Sequence, residues 1–99
     1  MDLKDLTHEH FTGLLNAKFR IQGGAPDVEL ELIEAMNLGT GRRSRRDPFS
    51  LIFRGPGKVV FPQRIYRLHG DSLGTLEIFL VPIGPDGDGA GMLYEAIFA

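Results

Sequence analysis

The chain has 99 residues, with 11 lysines and arginines against 13 acids and no cysteine. That length supports one domain around one hydrophobic core, and the missing thiols exclude a disulfide framework, a thiolate metal site and cysteine catalysis while fitting a reducing, cytoplasmic compartment. The formal net charge of −2 conceals a separation: between Arg42 and Arg67 eight bases stand against the single acid Asp47, a balance of +7, and the rest of the chain carries −9.

In chain order, the first seven residues are polar and acidic and do not read as a signal peptide. Leu6-Thr7-His8-Glu9-His10-Phe11 starts a helix: Thr7 can cap free backbone amides, and Leu6 is placed to pack on Phe11 as a hydrophobic staple. Phe11, Leu14 and Leu15 make its apolar stripe, and Gly13 and Asn16 limit it to two or three turns. Residues 18–22 alternate as a strand with Phe19 and Ile21 inward, and residues 23–27 (GGAPD) form a turn. Residues 28–34 alternate again, with Val28, Leu30 and Leu32 against Glu29 and Glu31. Residues 36–47 hold two glycines and four arginines and read as the longest exposed loop.

Period-two alternation resumes at 49–54, where Phe49, Leu51 and Phe53 share a face, and Gly55-Pro56-Gly57 ends the strand. Residues 59–62 form a short apolar link whose Pro62 favours an edge or a turn. Three more strands follow at 65–69, 75–81 and 92–98, a β-meander broken by two Gly/Asp clusters. The longest wholly apolar run, 78–83, is far short of the ~20 residues of a membrane-spanning helix. The pattern predicts a mainly β fold, a small antiparallel β-barrel or sandwich of six strands with a short N-terminal helix, over residues 1–99. The predicted core is Phe19, Leu30, Leu32, Phe49, Leu51, Phe53, Tyr66, Leu68, Leu76, Ile78, Leu80 and Phe98. The last strands are apolar on both faces: Phe79, Val81, Leu93 and Ile97 exceed what one short helix can cover, which marks them as an interface.

The chain is poor in catalytic signals. His8 and His10 carry metal-ligand chemistry, but two residues apart on a helix they point about 200° apart and cannot share an ion. Asp86-Gly87-Asp88-Gly89 opens like a calcium loop, yet position 90 is Ala and Ile97 stands where the closing acid belongs, so a hairpin turn is the better reading. Gly39-Thr40-Gly41 lacks the Lys-Ser/Thr ending of a phosphate loop. Ser44, Ser50 and Ser72 sit in no nucleophile motif, and Glu29 and Glu31 have no apolar surroundings to raise their proton affinity. No catalytic residue, metal site or cofactor is assigned. Arg42, Arg43, Arg45 and Arg46 are the binding candidates, four guanidiniums able to engage an acidic protein surface, a phosphate backbone or anionic lipid. Interleaved exposed aromatics, which nucleic-acid binding would favour, are absent beside them. If residues 28–34 pair with 49–54, Glu29 and Glu31 face Arg54 as cross-strand partners.

The segments LTHEHF, RDPFSLIFRGP, PQRIYRL, LGTLEIFLVPIGPDGDG and YEAIF together resemble, over almost the whole chain, a bacterial family of similar length classed as a domain of unknown function. Arg54-Gly55-Pro56, Pro62-Gln63-Arg64-Ile65-Tyr66 and Pro82-Ile83-Gly84-Pro85 look like its signature positions. The resemblance implies a structural or accessory role near phage-tail-collar or tail-fibre-like genes and brings no catalytic residues with it; the arginine loop is not one of its characteristic positions. The expected function is a non-enzymatic module for binding another protein or for self-association. The alternative is a small barrel binding a ligand or nucleic acid through the loop of Arg42, Arg43, Arg45 and Arg46.

Overall fold

Alternating apolar residues dictate strands with one wet and one dry face, and six such strands bury their dry faces here by closing on themselves. The computed structural model describes residues 3–22, 28–39, 47–58, 60–87 and 89–98. A 3-10 turn (Leu3–Asp5) and a short helix, α1 (His8–Thr12), precede β1 (Lys18–Gln22), β2 (Glu29–Asn37), β3 (Phe49–Pro56), β4 (Arg64–Gly70), β5 (Gly74–Pro85) and β6 (Gly91–Phe98). The strands form a closed barrel in the order β1-β2-β3-β6-β5-β4, with antiparallel pairing throughout. Two three-stranded meanders are thus joined by the link after β3, which carries the chain past β6 and β5 so that β4 lies beside β1.

All twelve predicted core side chains are buried, joined by Leu6, Phe11, Ile21, Tyr94 and Ala96. Each such Leu or Phe contributes ~1.5–3 kcal/mol by leaving water. Aromatic rings cork both barrel ends. At one, Phe11 from α1 lies 5.8 Å from Phe49 and 6.0 Å from Phe98, which themselves stack at 4.6 Å and 5°. At the other, Phe61 of the crossing link sets its ring edge-on to Tyr66 at 6.0 Å. Its backbone N–H donates to the Tyr94 hydroxyl at 2.9 Å, and the Tyr66 hydroxyl donates to the Pro62 carbonyl.

Several local expectations need correction. The helix spans five residues rather than two or three turns. Gly13 ends it, the chain then turns through Asn16 at φ 73°, a left-handed conformation open to asparagine, and Leu15 points to solvent. Met36 belongs to β2 and not to the loop, because a bulge between Leu32 and Glu34 shifts the register. That extra residue puts Ala35 opposite inward-facing Leu51 and leaves Glu34 and Met36 exposed. β5 continues to Pro85 through a second bulge between Pro82 and Gly84, where Gly84 adopts φ 128° and a mid-strand proline is tolerated. Glu31 does stand opposite Arg54, but its carboxylate lies 3.7 Å from Lys18, while Arg54 Nε lies 2.8 Å from Asp86. The turn predicted at 23–27 lies outside the described residues.

Phe53→Ala should cost ~3–5 kcal/mol, because its ring fills the barrel centre edge-on to Phe19. Gly70→Ala should cost ~1–3 kcal/mol by crowding, since an added Cβ would lie 2.6 Å from Phe19 Cε2. Urea midpoints at constant m-value check both. Burial raises the Tyr66 proton affinity above the ordinary 10.0, the Arg64 guanidinium opposes this and Tyr94 adds to it. Tyr66 therefore contributes stability that is complete below the ordinary tyrosine value and is lost as pH rises through the higher folded one. Tyr66→Phe should flatten the alkaline limb of a stability–pH curve.

Candidate functional site

Closure decides which strand faces meet water. On β5 the buried Leu76, Ile78 and Leu80 alternate with exposed Thr75, Glu77 and Phe79. On β4, Ile65 pairs directly with Phe79. On β6, Ile97 stands two residues beyond Glu95, the partner of Val81, just as Phe79 stands two residues before Val81. The exposed row ends at β6, because Ser50, the β3 partner of Ile97, is only 5% exposed and separates it from Met36 on β2. Ile65 and Ile97 are each 64% exposed, and Phe79 and Met36 48%. Single exposed apolar side chains are ordinary on protein surfaces, but a contiguous row is a docking feature.

All four predicted interface residues therefore lie on the outer wall, Phe79 and Ile97 exposed, Val81 and Leu93 half-buried. Ile65 was missed, although its place between Arg64 and Tyr66 in an alternating run carried the signal. Met36 was missed because no local pattern announces the bulge that turns it outward.

Farther round the barrel, Glu95 and Glu34 flank Ile52 across β6, β3 and β2, and neither carboxylate has an ion-pair partner among the described residues. On the β4 and β1 side stand Arg67, His69 and Arg20, with Arg67 Nη2 3.2 Å from Glu77 and Arg20 opposite His69.

Arg42, Arg43, Arg45 and Arg46 lie outside the described residues. The stem of their loop is placed: the Leu38 N–H donates to the Pro48 carbonyl at 2.9 Å, and the Gly39 N–H donates to Asn37 Oδ1 at 2.8 Å. Asn37 pairs with Phe49 at the end of the β2–β3 ladder, one step along from Met36 and Ser50.

The groups that resembled chemistry hold local structure. His8 Nε2–H donates to the Ala35 carbonyl at 3.0 Å, tying α1 to β2. His10 Nδ1 accepts the Thr7 N–H at 2.9 Å, so it plays the part that glutamate usually plays in a capping box. The Asp86 carboxylate accepts the Gly87 N–H at 2.8 Å and pairs with Arg54, which leaves it committed to a turn; Asp88 lies outside the described residues. No cluster of three metal-binding side chains occurs among the described residues.

Two shallow depressions line the meeting of β1 and β4. One of about 330 Å³ is bordered by Leu14, Phe19, Gly70 and Ser72, and a smaller one of about 150 Å³ by Arg20, Glu29 and His69, with Lys18 and Asp71 shared by both. No hydrogen bond joins Ser72 to His69 among the described residues; His69 Nδ1 is instead 3.0 Å from the Thr75 hydroxyl.

These features define a small closed antiparallel barrel, packed inside, with an apolar row on the wall of β4, β5 and β6. The chain belongs to the family described as Domain of unknown function (DUF6916), which matches residues 6–98. No curated protein and no solved structure matches it.

His10→Ala should cost about 1 kcal/mol by removing the cap acceptor, whereas His10→Glu should restore it as an ordinary capping box. Thermal denaturation of the two variants, with amide exchange at Thr7, checks the assignment.

Proposed function

We propose that this domain is a non-enzymatic interaction or assembly module that docks onto protein through the outer wall of β4, β5 and β6. The observation that carries this reading is the contiguous exposure of Ile65, Phe79 and Ile97 on adjacent strands. A six-stranded barrel has no spare lumen, since even eight strands leave an interior just wide enough for side chains, so recognition falls to the exterior. Arg42, Arg43, Arg45 and Arg46 would add long-range attraction for an acidic partner, raising the association rate more than the final affinity. The family resemblance supports an accessory role in a phage-tail-like structure, and the cysteine-free composition supports a cytoplasmic setting.

Phe79→Ser together with Ile97→Ser should leave the circular dichroism and urea midpoint nearly unchanged, because both side chains are largely in water. The pair should weaken binding to a partner isolated from the native host by ~2–4 kcal/mol, the range of central aromatic anchors. Full affinity in this folded variant would reject the surface. Replacing the four loop arginines with serine should slow association at low salt and lose that effect as salt shortens the electrostatic reach to ~8 Å.

A further inference from the structure

We propose that α1 and the residues beside it form a pH-sensitive plug on one barrel mouth, held shut by an unprotonated His10 Nδ1 and loosened when that ring takes up a second proton. The plug consists of Leu6 and Phe11, both fully buried, with Phe11 seated beside the stacked pair Phe49 and Phe98. Two histidines tie it down, and they answer acid differently. His8 Nε2–H donates to the Ala35 carbonyl, a bond that both the neutral ring and the imidazolium can make. His10 Nδ1 is an acceptor, because the group 2.9 Å away is the Thr7 backbone N–H, which can only donate. An imidazolium carries a hydrogen on each ring nitrogen and accepts nothing. The Thr7 hydroxyl, 3.1 Å from the same nitrogen, can turn to accept the new N–H, but the Thr7 amide is then left facing a donor at the start of the helix.

No neighbouring charge offsets that loss. Asp5 lies in the turn before α1, His8 and Glu9 on the helix, Glu34 on β2 next to Ala35, Asp47 just before β3 and Glu95 on β6 before Phe98. None of them forms an ion pair with His10 among the described residues. The opened segment takes the second proton without losing a bond and the closed cap does not, so acid favours opening. The response is graded, since Leu6 and Phe11 keep their burial and His8 keeps its bond. Loss of one cap raises the open fraction about fivefold, within the range of roughly pH 5 to 8 where histidine changes charge.

The test is NMR of the full chain at about pH 7.5 and about pH 5.5, which span most of that range. Proton–nitrogen correlations of the rings should show His10 at the higher pH as the tautomer with a bare Nδ1. Two amides report on the plug: Thr7, bonded to His10, and Leu14, bonded to the Phe11 carbonyl. Their exchange protection, corrected for the intrinsic pH dependence of exchange, should fall about fivefold or more at the lower pH, while the β3–β6 ladder keeps its protection. His10→Gln supplies a capping acceptor that does not titrate and should hold both amides protected at both pH values. A hydrogen on His10 Nδ1 at the higher pH overturns the proposal, as does unchanged protection in the wild type or an equal fall in His10→Gln. If that variant does not fold, the ring tautomer and the wild-type protection decide the matter alone.

Discussion

The barrel closes on a ladder as short as any it has. Only three residue pairs, Arg20 with His69, Ile21 with Leu68 and Gln22 with Arg67, join β1 to β4, against eight between β3 and β6. Without that seam the six strands would be an open sheet with two unpaired edges, a template for aggregation, and the inward faces of β1 and β4 would be wet. Beside the seam Phe19 packs directly against the backbone at Gly70, where an added Cβ would come within 2.6 Å of its ring.

Closure also fixes which side chains meet water. The described interior is filled by side chains, with Phe11 packed at one end and Phe61 at the other. Each strand alternates, so every inward residue is matched by an outward one whose identity the core does not constrain. Where those outward positions are polar, as at Arg67, Glu77 and His69, the wall is ordinary solvated sheet. Where Ile65, Phe79 and Ile97 follow one another across three strands, the apolar surface exceeds what scattered exposure explains.

Groups that carry reactive chemistry elsewhere are used here to position the chain. His10 accepts a backbone amide at the start of α1, and His8 fastens that helix to the β2 carbonyl it passes. Asp86 shapes the β5–β6 hairpin and meets Arg54, whose side chain lies over Gly91, where a Cβ would come within 2.7 Å of Nε. Tyr94 and Tyr66 spend their hydroxyls on the crossing link. A buried polar group needs a partner before it can do anything else; the two tyrosine hydroxyls have hydrogen-bond partners, and Arg54 Nε is met by the Asp86 carboxylate at ion-pair distance without hydrogen-bond geometry.

Alternation determined the strand count, the C-terminal meander and the twelve core side chains, because a period of two reports which face is dry without reference to what covers it. It also marked Phe79 and Ile97 as the wrong residues for a fully solvated face. What it could not determine was the cover. Both faces of β5 and β6 were apolar, and only the non-local pairing of β1 with β4 decided that one face lines a closed interior and the other looks outward. The bulges in β2 and β5 were equally silent, since each inserts a residue without changing composition, yet they turned Met36 outward and carried β5 on to Pro85. The charge separation was legible as a count, whereas which acids and bases become neighbours came from strand pairing between residues far apart in the chain, as where Arg54 meets Asp86 and Lys18 meets Glu31.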